Sequence, residues 1–423
     1  MNPFRGIIPL VQQYDYLQQI VVAVSAMHLA RLHRFRGNAS EAGKELVHAL
    51  AAKGKAIRLL RDAVASMDTD IATYSRGDAG SCKAVVLAAI VFFINLDLID
   101  SGKGKWRAHV QAARSLISSL QNAGEKNVLD ANVAGMVDAI AADCLTYHVL
   151  GSTISVLDND NQVVDSVVGS DAAKKRGGGG VVVVDGDEMH NGAELLQVLR
   201  RAEAYSYHCC PPDVLSVILA TSQLTGNRYS PVEEGDATSS VAQELARLFH
   251  QARTFDVWGW IYSIANLPPD DDLEGRFHVA SAHRAACCLY ILLSLPPKPR
   301  KDENDESAVL ISTTAQSLVH EILDHLASIP TDHVHLKGTV WPTFMVGAQT
   351  DDPGQRSWCL DRLSHIWTVN PWMSPWGYVQ TAMELLQDVW TTKDASKTEA
   401  GEDTEGVNWL QRFKAEKGDC LIV

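Results

Sequence analysis

The stretch Cys82-Lys-Ala-Val-Val-Leu-Ala-Ala-Ile-Val-Phe-Phe-Ile94 decides the fold, together with Ser101-Gly-Lys-Gly-Lys105 and Trp106-Arg-Ala-His109-Val-Gln-Ala-Ala-Arg-Ser-Leu-Ile117. From Ala84 to Ile94 every residue is apolar. A helix built from it is apolar on all sides and is stable only when other helices enclose it. After the glycine-containing turn, Trp106, Val110, Ala113, Leu116 and Ile117 recur at helical spacing, which predicts an amphipathic second helix. Two helices joined by a short turn make an αα-hairpin. With such a hairpin at its centre, the chain reads as all-α.

Working outward, apolar periodicity predicts helices over 14–35, 41–67 and 130–150, then 193–203, 211–224, 238–266 and 276–294. Further helices are expected over 307–329, 338–348, 353–368 and 374–391, with a last short one near the end. In the second of these helices Leu46, Leu50, Ile57, Leu60 and Val64 form one stripe, expected to face the core. Lys53, Lys55, Arg58 and Arg61 lie mainly off it, on the expected solvent side. Alternation of period two is almost absent, so the expectation is one large multi-helix domain over 1–423, its antiparallel helices joined by long polar loops. Within it, 156–192 is rich in Asp and Gly and reads as a flexible insertion, and 392–406 reads as an acidic loop.

Composition narrows the function. The 423 residues are 46% hydrophobic, enough for a sizeable core without disulfides. A formal charge of −14 disfavours a broad basic face for nucleic acid, so no direct nucleic-acid binding is expected from this chain. Eight cysteines without a Cys-x-x-Cys spacing read as free thiols in a reducing compartment. No secretory signal is recognisable, and no uninterrupted apolar run reaches about 18 residues, so an intracellular protein without membrane attachment is expected.

Each motif that suggests chemistry has a plainer reading. Gly177-Gly-Gly-Gly180 precedes Val181-Val-Val-Val184 instead of following a strand, and no Gly-Lys-Ser/Thr follows, so it is not a phosphate loop. His320 and His325 stand about 140° apart on a helix, off the i,i+4 register of paired ligands. They and the neighbouring His333 and His335 read as surface and loop histidines. The run Asp270-Asp-Asp-Leu-Glu274 invites an Mg²⁺-dependent isoprenoid-cyclase reading, with Asp270, Asp271, Glu274 and Asn304 as ligands. It follows Pro268-Pro269 and precedes Gly275, which points to a solvated loop, and Ala308 and Ser312 stand where that site needs Ser and Glu. Asp361, Arg362 and Glu384 read as ion-paired helix charges. Cys420-Leu-Ile-Val423 matches a prenylation box by composition but reads better as an apolar tail tucked into the core. No catalytic, metal or DNA-binding residue is assigned.

Several stretches, in order, resemble the regulatory domain of fungal zinc-cluster transcription factors. Asn2-Pro-Phe-Arg5 with Ile8-Pro-Leu10 is similar to that family's opening segment, and Val21-Val-Ala-Val-Ser-Ala-Met-His28 to its first helix. Trp106-Arg-Ala-His109-Val-Gln-Ala-Ala-Arg-Ser-Leu-Ile117 resembles its Trp-x-x-His-x-x-Gly-Ala element, with Gln111-Ala112 in part of the Gly-Ala spacing. Trp341-Pro-Thr-Phe-Met-Val-Gly347, then Arg356, Asn370 and Glu384 to Trp390, resemble its later elements. The resemblance implies that Asn2, Pro3, Phe4, His28, Trp106, His109, Trp341, Pro342, Phe344, Gly347 and Trp390 are signature positions with structural roles. It further implies a nuclear, non-enzymatic transcription regulator that engages co-regulator proteins or the transcription machinery, a small-molecule effector, or a second copy of itself. The family's two-zinc, six-cysteine DNA reader has no counterpart here. No cofactor is therefore expected in this chain, and DNA contact is expected through a zinc cluster outside it. A helical ligand-binding module without transcriptional output is the other reading.

Overall fold

A computed structural model describes residues 6–70, 76–122, 131–155, 196–226, 236–296, 306–368, 376–398, 408–416 and 420–423. These residues form helices and no strand, as the periodicity predicts. The first half contains α1 (Ile7–Gln13), α2 (Asp15–Phe35), α3 (Ala39–Asp70), α4 (Arg76–Asp100), α5 (Trp106–Asn122), α6 (Ala131–Ser152) and α7 (196–202). The second contains α8 (Pro212–Gly226), α9 (Asp236–Arg253), α10 (Val257–Ser263), α11 (Leu273–Leu293), α12 (Glu306–Ala327), α13 (Val340–Gln349), α14 (Pro353–Thr368), α15 (Gly377–Thr398) and α16 (Trp409–Glu416). Short 3-10 turns occupy Glu203–Tyr205 and Leu336–Thr339.

The central hairpin is α4 and α5, and α4 is enclosed by α2, α5, α6 and α15. Windows in α4 and α6 are long and apolar enough to cross a membrane by length and composition, with mean hydropathies of 2.2 and 1.3. They are 78% and 67% buried inside the protein, so that apolar surface is taken up by packing. The count of uninterrupted residues missed them because Asn95 and Asp97 break the run in α4, and Asp138 and Asp143 the one in α6, without lowering the average much. At the hairpin turn Gly102 has φ +69 and bonds its N–H to the Asp97 carbonyl at 2.7 Å. A Cβ there would sit 2.7 Å from the Leu421 carbonyl and 2.8 Å from Tyr378 Cβ, so glycine serves both conformation and space. The Gly102 carbonyl accepts from the Leu421 N–H at 2.9 Å, and Cys420 to Val423 are buried, as expected of an apolar tail.

In the second half α11 is the enclosed helix, packed on α8, α9, α10, α12 and α13, with Cys287 and Cys288 buried on it. Asp272 starts it by accepting from the Glu274 and Gly275 N–H groups at 3.1 and 3.0 Å, the bond pattern of an N-cap.

Four features depart from the sequence reading. Residues 238–266 are two helices, because Asp256 caps the start of α10 by accepting from the Gly259 N–H at 3.0 Å. The opening segment contributes helix α1. The first residues of the acidic tract, Thr392 to Thr398, continue α15, and 399–406 lie outside the described residues. The last departure is in α3. Its buried face is Ala42, Ala49, Ala52 and Ala56, set against α2, which buries Ala23, Ala26 and Ala30. The stripe expected to face the core is largely outside: Leu50 is 54%, Ile57 48% and Val64 40% exposed, with Val47 at 68%. Successive helical residues point about 100° apart, so Ala56 and Ile57 cannot both face one neighbour. Alanine faces let two helix axes come close along their length, and that packing wins.

Candidate functional site

The signature positions are placed by contacts that run between distant helices. Asn2, Pro3 and Phe4 lie outside the described residues. Trp106, at the start of α5, lies against Gly151 of α6, where any Cβ would collide with its ring. His109 stacks on Phe93 of α4, with centroids 5.3 Å apart, and burial lowers its pKa. Trp341 is fully buried, donates its indole N–H to Thr153 Oγ1 at 3.0 Å and stacks on His283. Pro342 shares its burial on α13. Phe344 meets Trp409 and Phe413 edge-on at 6.2 and 6.1 Å. Trp390 donates to the Gly347 carbonyl at 2.8 Å, and a Cβ at Gly347 would lie 3.2 Å from Cys359 and Leu386. Arg356 lies over the Trp390 ring and pairs with Asp394 at 2.7 Å. None of these side chains is aimed at a common reacting point; together they pin α5, α6, α13, α15 and α16 to one another.

The aspartate run is absorbed by structure. Asp271 pairs with Arg276 at 2.7 Å, their side chains 9% and 1% exposed, and His335 Nε2 is 3.5 Å from the other Asp271 oxygen. Burial pushes the Asp271 carboxyl up, but the hydrogen bond and charge of Arg276 outweigh it and hold it below its usual range. Asp272 caps α11 and contacts His333 Nε2 at 3.0 Å, while Glu274 stands in the first turn of α11. Asn304 lies outside the described residues. Among the described residues no three His, Cys, Asp or Glu side chains are arranged to hold a metal ion.

Other expectations are corrected here. Of the histidines expected on the surface or in loops, His333 and His335 do stand in the loop after α12, but His335 is buried there, and the half-buried His325 meets His278 with ring nitrogens 3.1 Å apart. Arg362 is buried over Trp358 with no carboxylate partner, and burial pulls its pKa down to about 10. Glu384 does approach Lys103, at 4.0 Å.

A polar cluster that sequence reasoning passed over lies where α4, α6, the 205–211 loop, the Leu336–Thr339 turn and the start of α15 meet. Lys337 Nζ sits 3.8 Å over the Trp376 ring and 5.8 Å from the Tyr207 ring centre. Tyr147 donates to Asn95 Oδ1 at 3.3 Å, and His208 packs edge-on against Tyr147. Burial alone draws Lys337 down to about 8 and Asp143 up to about 7. His208 and His283 are held neutral by burial, at about 3 and about 4. The one sequence signal was the placing of single charges, Asp143 and Lys337, in otherwise apolar segments.

A family profile described as the fungal specific transcription factor domain matches residues 1–419. The chain belongs to this family. This fungal transcription factor domain is 48% identical over 424 residues to the acriflavine sensitivity control protein acr-2 of Neurospora crassa. The match covers 100% of this chain and 63% of that protein's length. No solved structure matches. Family membership agrees with the resemblance read from the Trp106, Trp341 and Trp390 segments, and makes the chain a transcription-regulatory domain. It gives no support to the cyclase reading.

Proposed function

We propose that this domain regulates transcription in the nucleus by docking a co-regulator on the exposed stripe of α3, with DNA contact supplied by a zinc cluster outside this chain. The observation that carries the docking mode is the row Val47, Leu50, Ile57 and Val64, left open on a 32-residue helix while the alanine face is buried. Isolated exposed apolar residues are ordinary; a contiguous helical row is an interaction surface. Arg58 and Arg61 flank the row on its solvent side, a basic rim on a chain of formal charge −14. The fitting partner is an amphipathic helix whose apolar face is bordered by carboxylates. A second copy of this domain would bring its own Arg58 and Arg61 against these, so self-pairing through α3 is the weaker fit.

No catalytic role and no cofactor are proposed. The signature residues are read as structural: they hold the helices that present α3 and the interior cluster. From the likeness to the Neurospora crassa protein, a part in acriflavine sensitivity is a further proposal for the full-length protein.

The test fuses this chain to an unrelated DNA-binding domain upstream of a reporter. The fusion is expected to move reporter output several-fold from that of the DNA-binding domain alone, and Leu50→Ser with Ile57→Ser to abolish the change at equal protein level. A silent fusion refutes the regulatory reading. An effect untouched by the double substitution refutes docking on α3, as does loss of dimer in sedimentation without loss of partner binding.

A further inference from the structure

Helix α10 divides its apolar residues between two faces. Val257, Trp260 and Ile261 turn inward and join Ile264, Ala204 and Ala280 in a small core of their own. Trp258 and Tyr262, one helical turn apart, face outward at 37% and 74% exposed. Their rings stack with centroids 5.7 Å apart, and Trp258 rests on Phe277 of α11 at 4.5 Å. One indole face is therefore spent on the fold. The Tyr262 ring, outermost in the stack, stays open together with the exposed part of Trp258. The Trp258 indole N–H has no hydrogen-bond partner among the described residues.

The charges around this pair are mostly of one sign. From Phe255 to Phe277 the sequence carries five carboxylates and one base, Arg276, which is buried on Asp271. The other four, Asp256, Asp270, Asp272 and Glu274, are exposed. Asp256 caps α10 two residues before Trp258, and Asp272 caps α11 and meets His333. Asp270 and Glu274 make no side-chain hydrogen bond or ion pair among the described residues, and Glu274 lies about one turn before Phe277. On the other flank Arg284 donates to the Phe255 carbonyl and shares Glu321 with Arg253, which leaves one positive charge there against four negative ones. His278 and His325, beside Phe277, are engaged with each other. Open rings bordered by carboxylates suit a partner that carries cations. Two rings on a seven-residue helix are too short a row for the i, i+3, i+4, i+7 anchors of a partner helix. A polyproline II segment needs less. Its rings lie flat on aromatic side chains, its free carbonyls accept an indole N–H, and it has little freedom left to lose on docking.

We propose that Trp258 and Tyr262 form a docking surface for a proline-rich segment of a partner protein, with lysine or arginine of that segment set against Asp270 and Glu274. This surface is separate from α3 and does not rest on the docking proposed there.

Fluorescence anisotropy of labelled peptides titrated with the purified chain tests it. A peptide of repeating Pro-Pro-Lys is expected to bind saturably, and less tightly as salt rises. Peptides of repeating Ala-Ala-Lys and Pro-Pro-Glu are expected to bind at least tenfold more weakly. Tyr262→Ala, at an exposed position, is expected to weaken Pro-Pro-Lys binding at least tenfold. Trp258→Phe, which keeps a ring on Phe277 and removes the indole N–H, should weaken it several-fold. Asp270→Asn with Glu274→Gln should weaken it and flatten its salt dependence. Absence of saturable Pro-Pro-Lys binding overturns the surface, as does undiminished binding by any of the three variants. Equal binding of Ala-Ala-Lys would reduce the effect to charge alone, and equal binding of Pro-Pro-Glu would remove the role of the carboxylates; either result also overturns it. This chain's own Pro296-Pro-Lys-Pro-Arg300 has the same chemistry. Self-association in sedimentation that Tyr262→Ala abolishes would therefore make the face a contact between copies and overturn the partner protein.

Discussion

Asp271→Asn is the most informative single substitution, because it touches both the fold and the aspartate run that invited a metal-site reading. Asparagine keeps the size of the side chain and an oxygen that can accept from Arg276 Nε, so the loss is the negative charge. Arg276 is 1% exposed and its Nη1 already has no partner, so the guanidinium has no reserve of solvent or hydrogen bonds. Glu203 acts on it at longer range and is committed to the Trp260 indole at 3.0 Å. Stranding one half of a buried pair costs about 3–5 kcal/mol. Set against a typical domain stability of about 5–15 kcal/mol, that is a large share. Urea unfolding at pH 7, followed by tryptophan fluorescence, is expected to show the midpoint falling with an unchanged slope. Asp271→Leu with Arg276→Met removes both charges and is expected to recover most of the loss. A cost below about 1 kcal/mol for Asp271→Asn, or a double variant no better than the single, would refute the claim that this carboxylate is spent on Arg276.

Stability is expected to fall as pH drops from about 6.5 toward 4. His148, His208, His283 and His335 have folded pKa values lowered by burial to about 3, about 3, about 4 and about 4. Unfolded histidine titrates near 6.5, so in this window the unfolded chain takes up protons that the folded one refuses. Asp143, raised to about 7, opposes the trend as one group against four. A urea midpoint flat between pH 7 and 5 would contradict the buried-neutral assignment, and His208→Leu should shallow the slope. Gly151→Ala drives a methyl into the Trp106 ring and is expected to cost about 1–3 kcal/mol in the same assay; no loss would mean that α5 and α6 are not in contact there. Of the eight free cysteines only Cys82 is half-buried, so a disulfide reagent should find one fast thiol in the native protein and the rest after unfolding. Three or more fast thiols would refute the burial of the others.

The helical class was legible because it is local. Period-3.6 spacing and the all-apolar run at Ala84–Ile94 admit few alternatives, and the Trp106, Trp341 and Trp390 segments carried the family resemblance in order along the chain. Helix ends were legible only where no side chain intervened: Asp256 split one expected helix by capping its second half, a choice its hydrogen bond makes and periodicity does not record. The candidate site was nearly illegible. Lys337 and Asp143 are 194 positions apart, and a lone charge in an apolar segment does not say whether a partner waits across the fold.

By itself, then, the sequence determined that this chain is a bundle of helices, since composition and period act over a few residues. Only the tertiary structure decided that α3 turns its alanines inward and the row Val47, Leu50, Ile57 and Val64 outward, and that Lys337 lies over the Trp376 ring. Both outcomes depend on how closely distant helices can approach. That distance is set by side-chain shape across the interface, which no single helix contains.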